Sequence, residues 1–361
     1  MEALFHAPGR ANLIGEHTDH TDGLVLPVAI DRGLTLRATL GGDRIRLDSD
    51  DAAEVVDIEA DGGEVPPSGF GRFVAAVAAE LAEAGRRPVG LTGGLTSDLP
   101  QGAGLSSSAA LEVVVAIALL AADGELEIAP LDLAALCRRA EHRAVGVPSG
   151  LMDQAASILG RADHAVLLDC GTLEHELVPV PTDHALLIMD SGVRRKLESS
   201  GYARRTEELR EALPVLAGRR PAEVAPDELD GLLADLDELP ARRLRHVVTE
   251  NARVRETVDA LRAGDLEAVG RLFAASHASL RDDFEVSIPQ LDHLVELAGE
   301  AGATAARMTG GGFGGAAIAL VPTERTDAVR DRVITGYRER FPDDPVAIHT
   351  CRAADGAHRV R

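Results

Sequence analysis

Short apolar or alternating runs, broken by glycine and aspartate, dominate the first hundred residues. Leu24–Ile30, Leu34–Leu40 and Arg44–Leu47 read as consecutive antiparallel strands. Asp48–Glu64 is acidic and contains glycines, and reads as a solvated edge and loop. Arg72–Gly85 carries helical periodicity with a glycine stop, and Val89–Ser97 returns to strand. Two helices follow at Ser106–Ala122 and Leu131–Gly146, and a third starts near Ser149. The apolar run from Val113 to Ala122 is too short to cross a bilayer, which takes roughly 20 residues, so it reads as a buried helix.

After strands at His164–Asp169 and Leu173–Pro179 the pattern changes. Ala185–Asp190 is a buried-type strand, while Tyr202–Leu213 and Arg242–Ala263 read as long, charged amphipathic helices. Between them Ala217–Pro240 is acidic and proline-broken, the composition of a partly mobile stretch. Helices at Leu266–Arg281 and Ile288–Gly302 lead into strand, glycine turn and strand, Thr304–Thr309 and Ala316–Val321. A length of 361 residues suggests two lobes, and the change of pattern puts their boundary near residue 178, giving 1–178 and 179–361.

Composition narrows the partners. Apolar residues make up 45% of the chain but aromatics only 2%, so the cores rest on Ala, Leu and Val. With 59 acids against 37 bases the net charge is −22, which disfavours nucleic acid and anionic membranes because both select positive patches. Cys137, Cys170 and Cys351 show no metal spacing and read as reduced thiols of a cytoplasmic protein. Met1–Phe5 lacks the basic-then-apolar order of a leader.

The densest chemistry lies at Pro100-Gln-Gly-Ala-Gly-Leu-Ser-Ser-Ser-Ala-Ala-Leu-Glu112. Gly102 and Gly104, flanking Ala103 and followed by Leu105, allow a tight bend and close approach of backbone N–H groups to a ligand. Ser106, Ser107 and Ser108 sit where a helix starts, so unpaired N–H groups and the positive dipole end face the loop. That arrangement suits an anion, with hydroxyls placed for phosphate or Mg²⁺. A Walker-type loop is excluded, because its lysine is missing and the single lysine of the chain is Lys196.

Two further blocks give this loop a context. One is Ala7-Pro-Gly-Arg-Ala-Asn-Leu-Ile-Gly-Glu-His-Thr-Asp-His-Thr-Asp-Gly23 and the other is Arg307-Met-Thr-Gly-Gly-Gly-Phe-Gly-Gly315. In this order the three blocks resemble the GHMP kinases, specifically the galactokinases, as sugar signature, phosphate loop and C-terminal glycine motif. The likeness includes Glu141-His142, Gly146–Gln154, Arg245–Asn251 and Ser276–Asp283, and so spans nearly the whole chain. It implies a fold of two α+β lobes with the site in the cleft between them. The implied activity is ATP-dependent phosphorylation of galactose at its anomeric hydroxyl, the first committed step of galactose use.

Phosphoryl transfer needs positioning and charge neutralisation, and each part has a candidate. Gly102–Ser108 is the phosphate cradle. The resemblance assigns Mg²⁺ to Glu141 and Ser108; read alone, Glu141 is a helical glutamate beside Arg138 or Arg139. Arg10 follows Pro8-Gly9, a sharp turn in the sequence reading, and offers a permanently charged fork of donors. Asp153 could merely favour a helix dipole, but the matching aspartate of galactokinases contacts the anomeric hydroxyl, with the arginine nearby, and can accept its proton. Glu16, His17, Asp19, His20 and Asp22 are dense enough to suggest a metal, though a cage of donors and acceptors for a polyol is the stronger reading. By family match Glu16, His17, Asp19, the backbone at Gly150 and the Tyr202 hydroxyl face the sugar.

The chain departs from the family at His20-Thr21, where galactokinases usually carry Tyr-Asn, so N-acetylgalactosamine and arabinose stay open as alternative substrates. Sugar sensors related to galactokinases are damaged in the phosphate loop, which is complete here. Gly310–Gly315 reads as a close backbone approach beside the cleft, and Phe70 and Phe73 are the aromatics nearest to an adenine pocket. A monomer is expected.

Overall fold

The computed structural model describes residues 2–66, 68–100, 102–146, 150–194 and 200–360. Residues 147–149, including the expected helix start at Ser149, lie outside this set.

Alternation of Ala3, Phe5, Ala7 and Ala11, all buried, makes Glu2–Asn12 a strand, β1. The Pro8-Gly9-Arg10 segment is therefore not the turn its composition suggested. It lies inside β1, with only a register shift between Pro8 and Arg10. After the two-residue β2 (Leu24–Val25), β3 (Pro27–Leu40) pairs antiparallel with β1. The runs 24–30 and 34–40, expected as two antiparallel strands, fall largely in the one strand β3, and β4 (Arg44–Ser49) is not beside it but runs parallel to β6 (Leu91–Ser97), which separates the two. The acidic stretch after β4, read as a solvated edge and loop, holds the edge strand β5 (Ala52–Glu59). An edge strand needs only one buried position here, Val56, and its charged residues face water.

α1 (Gly71–Glu83), α2 (Ser107–Asp123), α3 (Pro130–Val145) and α4 (Met152–Leu159) follow, with α2 and α4 laid on β1 and β3. β7 (His164–Asp169) joins β2 to β8 (His175–Pro179) in a small sheet.

The second half is built on an antiparallel sheet of β9 (His184–Asp190), β10 (Ala305–Thr309), β11 (Ala316–Pro322) and β12 (Ala347–Cys351), in the order β10-β11-β9-β12. Its helices are α5 (Ser200–Ala212), α6 (Leu229–Leu233), α7 (Glu238–Ala263), α8 (Leu266–Asp282), α9 (Pro289–Ala301) and α10 (Thr326–Arg340). The stretch expected to be irregular, 217–240, contains two 3₁₀ turns, α6 and the first residues of α7. Pro240 is accommodated because it falls in the first turn of α7, where no N–H partner is lost. At the chain's end β13 (His358–Arg359) returns to pair with β1, completing the first sheet in the order β13-β1-β3-β6-β4-β5.

One core runs from Phe5, Leu36 and Val113 through Ile188, Phe273 and Ile318, so the two sheets share buried apolar contacts. A second, around Leu187, Leu244, Phe284 and Tyr337, belongs to the later sheet and its helices. Among the described residues no helix is long and apolar enough to cross a membrane.

Candidate active site

β1 delivers Arg10 to the mouth of the glycine loop. The backbone N–H of Arg10 donates to the Leu105 carbonyl at 3.2 Å, and its Nη1 donates to the Gly104 carbonyl at 2.6 Å. Its Nε and Nη2 reach both oxygens of Asp153 at 2.7 and 2.8 Å, a fork-on-fork pair. Asp153 comes from the first turn of α4. Ser106 precedes α2 in a left-handed conformation (φ 57°) and caps nothing; its hydroxyl donates to Asp153 instead.

Gly102 and Gly104 have φ of 74° and 72°, the bend expected of them. A Cβ on Gly102 would also sit 2.9 Å from the Arg194 side chain. Arg194 was not singled out by its sequence context. It reaches from beyond β9 to donate to the Gly102 carbonyl at 3.0 Å, held by both oxygens of buried Asp190 at 2.9 Å. These groups, with Gly310, Gly311 and Gly315, line a cleft of about 480 Å³. A second hollow of about 620 Å³ adjoins it at Ser107 and Ser108, with Phe70, Phe73, Leu95 and Leu111 among its walls.

Ser108 and Glu141 do meet: the hydroxyl donates to Oε1 at 3.2 Å, and Gln154 donates to Oε2 at 3.2 Å. Gln154 also donates at 2.9 Å to the inaccessible Glu112, whose carboxyl is pushed up to about 9 by burial and by the nearby charge of Glu141. A hydroxyl that lines the cleft and a carboxylate beside it are hard oxygen donors of the kind that suits Mg²⁺.

The sugar-signature loop approaches α4 at Gly150. The side chain of Asp19 lies so close to Gly150 that a Cβ there would be 1.8 Å from its Oδ2. Burial would raise the Asp19 carboxyl, but hydrogen bonding and charge from His20, with the field of Arg10, hold it below its ordinary value. His17, at φ 63°, packs 4.5 Å from the Phe284 ring and 5.6 Å from Tyr202. Glu16 is almost wholly covered: Thr309 Oγ1 and the Gly310 N–H both donate to its Oε1 at 3.1 Å, and Arg307 pairs with Oε2. Its carboxyl is raised by burial, with Arg307 pulling the other way.

α7 grips the same loop by its backbone. His246 Nε2 meets the Glu16 carbonyl at 3.1 Å, Glu250 accepts the Gly15 N–H at 3.1 Å, and Asn251 accepts the Leu24 N–H at 2.7 Å. A carbonyl can only accept, so Nε2 carries a proton; Nδ1 lies 2.9 Å from the Ser279 hydroxyl, which itself donates to Asp283 Oδ2 at 2.9 Å. The motif containing these residues was visible in the sequence, but nothing in it announced a backbone clamp.

This cleft, between a glycine-rich phosphate loop at a helix start and a second lobe closing over it, is that of a GHMP-type kinase. Residues 72–161 match the model described as GHMP kinases N terminal domain, 257–339 GHMP kinases C terminal, and 1–39 the galactokinase galactose-binding signature. A galactokinase of Roseiflexus sp. (strain RS-1) is 40% identical over 99% of this chain and 93% of its own. The crystal structure of Lactococcus lactis galactokinase complexed with galactose superposes with a TM-score of 0.92 at 36% identity, covering 99% of this chain and 95% of that one. Methanococcus jannaschii mevalonate kinase, at 18% identity and TM-score 0.67 over 98% and 99% of the two chains, shares the fold. The chain belongs to the galactokinase family.

Proposed function

We propose a division of labour within the cleft for the phosphorylation of galactose by ATP. Asp153 accepts the proton of the anomeric hydroxyl as its oxygen attacks the γ-phosphorus; the new O–P bond forms while the bond to the β-phosphate oxygen breaks and ADP leaves. Arg10 holds Asp153 by both oxygens and presents its charge at the same place. The observation that carries this reading is that pair, set at the junction of the phosphate loop and the sugar-signature loop.

Gly102–Ser108 cradle the phosphates, and the hollow walled by Phe70 and Phe73 takes the adenine, an apolar flat surface next to a polar cleft. Ser108 and Glu141 hold Mg²⁺, which when bound neutralises phosphate charge. Glu16, His17, Asp19, the backbone of Gly150 and the Tyr202 hydroxyl receive the sugar. The lobes divide near residue 178, with β13 returning to the first. The same reading makes the protein a cytoplasmic monomer, supported by three cysteines without disulfides and by exposed large apolar side chains that are few and scattered. Because His20-Thr21 replaces the usual pair, the test is an ATP-dependent activity panel over galactose, its epimers, N-acetylgalactosamine and arabinose. Turnover of galactose well above the rest supports the assignment, and comparable turnover of N-acetylgalactosamine or arabinose moves it.

A further inference from the structure

Arg72 stands in the first turn of α1, where its charge meets the positive end of the helix dipole and no acid of the same turn offsets it. Glu54 reaches this helix end from β5, but its Oε2 accepts the Phe70 N–H at 3.2 Å. Asp51 lines the same hollow as Arg72 and is not its partner either. Although the chain holds 59 acids against 37 bases, Arg72 forms no hydrogen bond or ion pair among the described residues.

Its guanidinium is nevertheless held in place. The Cζ atom lies 4.9 Å from the centre of the Phe73 ring, a cation–π contact. Nε is buried without an acceptor, whereas the two terminal nitrogens keep accessible surface. Stacking occupies the face of a planar guanidinium and leaves the donors along its edge available. Arg72 and Phe73 both wall the hollow of about 620 Å³, and Arg72 is the one cation among its described lining residues. Phe70, Leu95 and Leu111 make much of the remaining wall apolar, and the hollow meets the phosphate cleft at Ser107 and Ser108.

We propose that Arg72 is a nucleotide-binding residue whose edge donors pair with an acceptor atom in the nucleoside half of ATP, a purine ring nitrogen or a ribose oxygen. The proposal rests on the reading that this hollow takes the adenine. A guanidinium only donates, so the amino group of adenine is no partner for it. The phosphates have their own cradle at Gly102–Ser108, with Arg10 and Arg194 in the wall of the cleft. Because Phe73 already fixes the guanidinium plane, less side-chain freedom is lost when the nucleotide binds, which favours a selective contact.

The experiment compares Arg72→Ala, Arg72→Lys and Phe70→Ala with the wild type by calorimetry. The ligands are ADP, inorganic tripolyphosphate, and ADP analogues that each lack one ring nitrogen or one ribose hydroxyl. Arg72→Ala is expected to weaken ADP binding about tenfold, the loss of one charged hydrogen bond, with tripolyphosphate affinity and the galactose KM nearly unchanged. The wild type is expected to bind one analogue about tenfold less tightly than ADP, and Arg72→Ala to bind that analogue and ADP alike. Arg72→Lys keeps the charge but not the flat fork, so it should lose the same discrimination. A merely structural arginine would move the melting temperature and leave the analogue series as it is. Equal weakening of ADP and tripolyphosphate, or a wild type that tolerates every analogue, overturns the proposal. So does an unchanged ADP affinity in Arg72→Ala: if Phe70→Ala then loses affinity, the hollow still takes the base, and if neither does, the adenine lies elsewhere.

Discussion

Arg10 and Asp153 stand 143 residues apart in sequence and meet through two parallel hydrogen bonds, Nε to Oδ1 at 2.7 Å and Nη2 to Oδ2 at 2.8 Å. The pair joins β1 to α4 at the point where the glycine loop begins its turn. Only its aspartate has appreciable exposure, 30% against 8% for the arginine side chain, so the carboxylate is the member that can meet a substrate.

Asp153→Asn keeps the shape of the pair and removes both the charge and the proton acceptor. Turnover is expected to fall by roughly 10²–10⁴ with the fold intact, while galactose still binds through the amide. Arg10→Ala should also lower turnover, and the double variant should lose less than the two free-energy losses added, because the residues act as a unit. Steady-state kinetics on the three variants, with melting temperatures alongside, decide the matter. Near-wild-type kcat in folded Asp153→Asn would remove it from the chemistry, and a lost melting temperature with rate retained would leave it a helix-dipole residue.

Glu141→Ala tests the proposed metal site. Glu141 meets Ser108, which lines the cleft, and Gln154. The Mg²⁺ concentration for half-maximal activity should rise about tenfold or more and kcat should fall, with galactose affinity by calorimetry nearly unchanged. An unaltered Mg²⁺ requirement would count against the assignment.

The parts of this site that were legible in the sequence are those whose chemistry is local. Glycines followed by serines at a helix start announce a bend and an anion site whatever the fold, and Gly102, Gly104 and Ser106 all have positive φ. The strands and helices with clear periods were readable for the same reason. β1 was hidden because Pro-Gly reads as a turn, and only pairing with β3 across a register shift makes it a strand. α10 was missed because its apolar positions, Val329, Val333 and Tyr337, are sparse among charges. Arg194, Gln154 and Glu112 act through partners far off in sequence, which spacing alone cannot join. Arg307 and Glu250 lay inside motifs already recognised, but the ion pair between them is a product of tertiary packing alone.

Galactose should exceed glucose in kcat/KM by a large factor, up to about 10⁴, because fixed polar groups left unpaired by the wrong epimer are costly. Glu16, Asp19 and His17 are each held by a hydrogen-bonding partner or a packed ring, which limits their turning to follow a displaced hydroxyl. Competition kinetics with both sugars measures the ratio. Equal values would show that the cage recognises a hexose and not its stereochemistry.

His246 makes the stability of the protein fall on the acid side in a definable window. Burial lowers its pKa to about 4, against 6.5 for the free ring, with Glu250 and Asp283 opposing the shift and Arg253 adding to it. Between these two values the unfolded chain binds a proton at this residue that the folded protein refuses, so unfolding gains free energy as pH drops. The contribution is fully present above pH 6.5 and is lost progressively down to pH 4, by up to about 3 kcal/mol for a wholly buried ring. Glu250, pulled down to about 2 by Arg253 and Arg307 against its burial, adds its own loss only below 4.5, so the two windows barely overlap. His246→Gln stays neutral at every pH and can still donate to the Glu16 carbonyl. Denaturant unfolding from pH 7.5 to 4.5 should therefore show the stability of the wild type falling relative to that of the variant, with the gap opening below pH 6.5; Glu112, pushed up to about 9, gains stability over the same range but does so in both proteins. Parallel curves over that range would mean that the ring takes up its proton in the folded protein, and that its contact with Glu16 is looser than 3.1 Å implies.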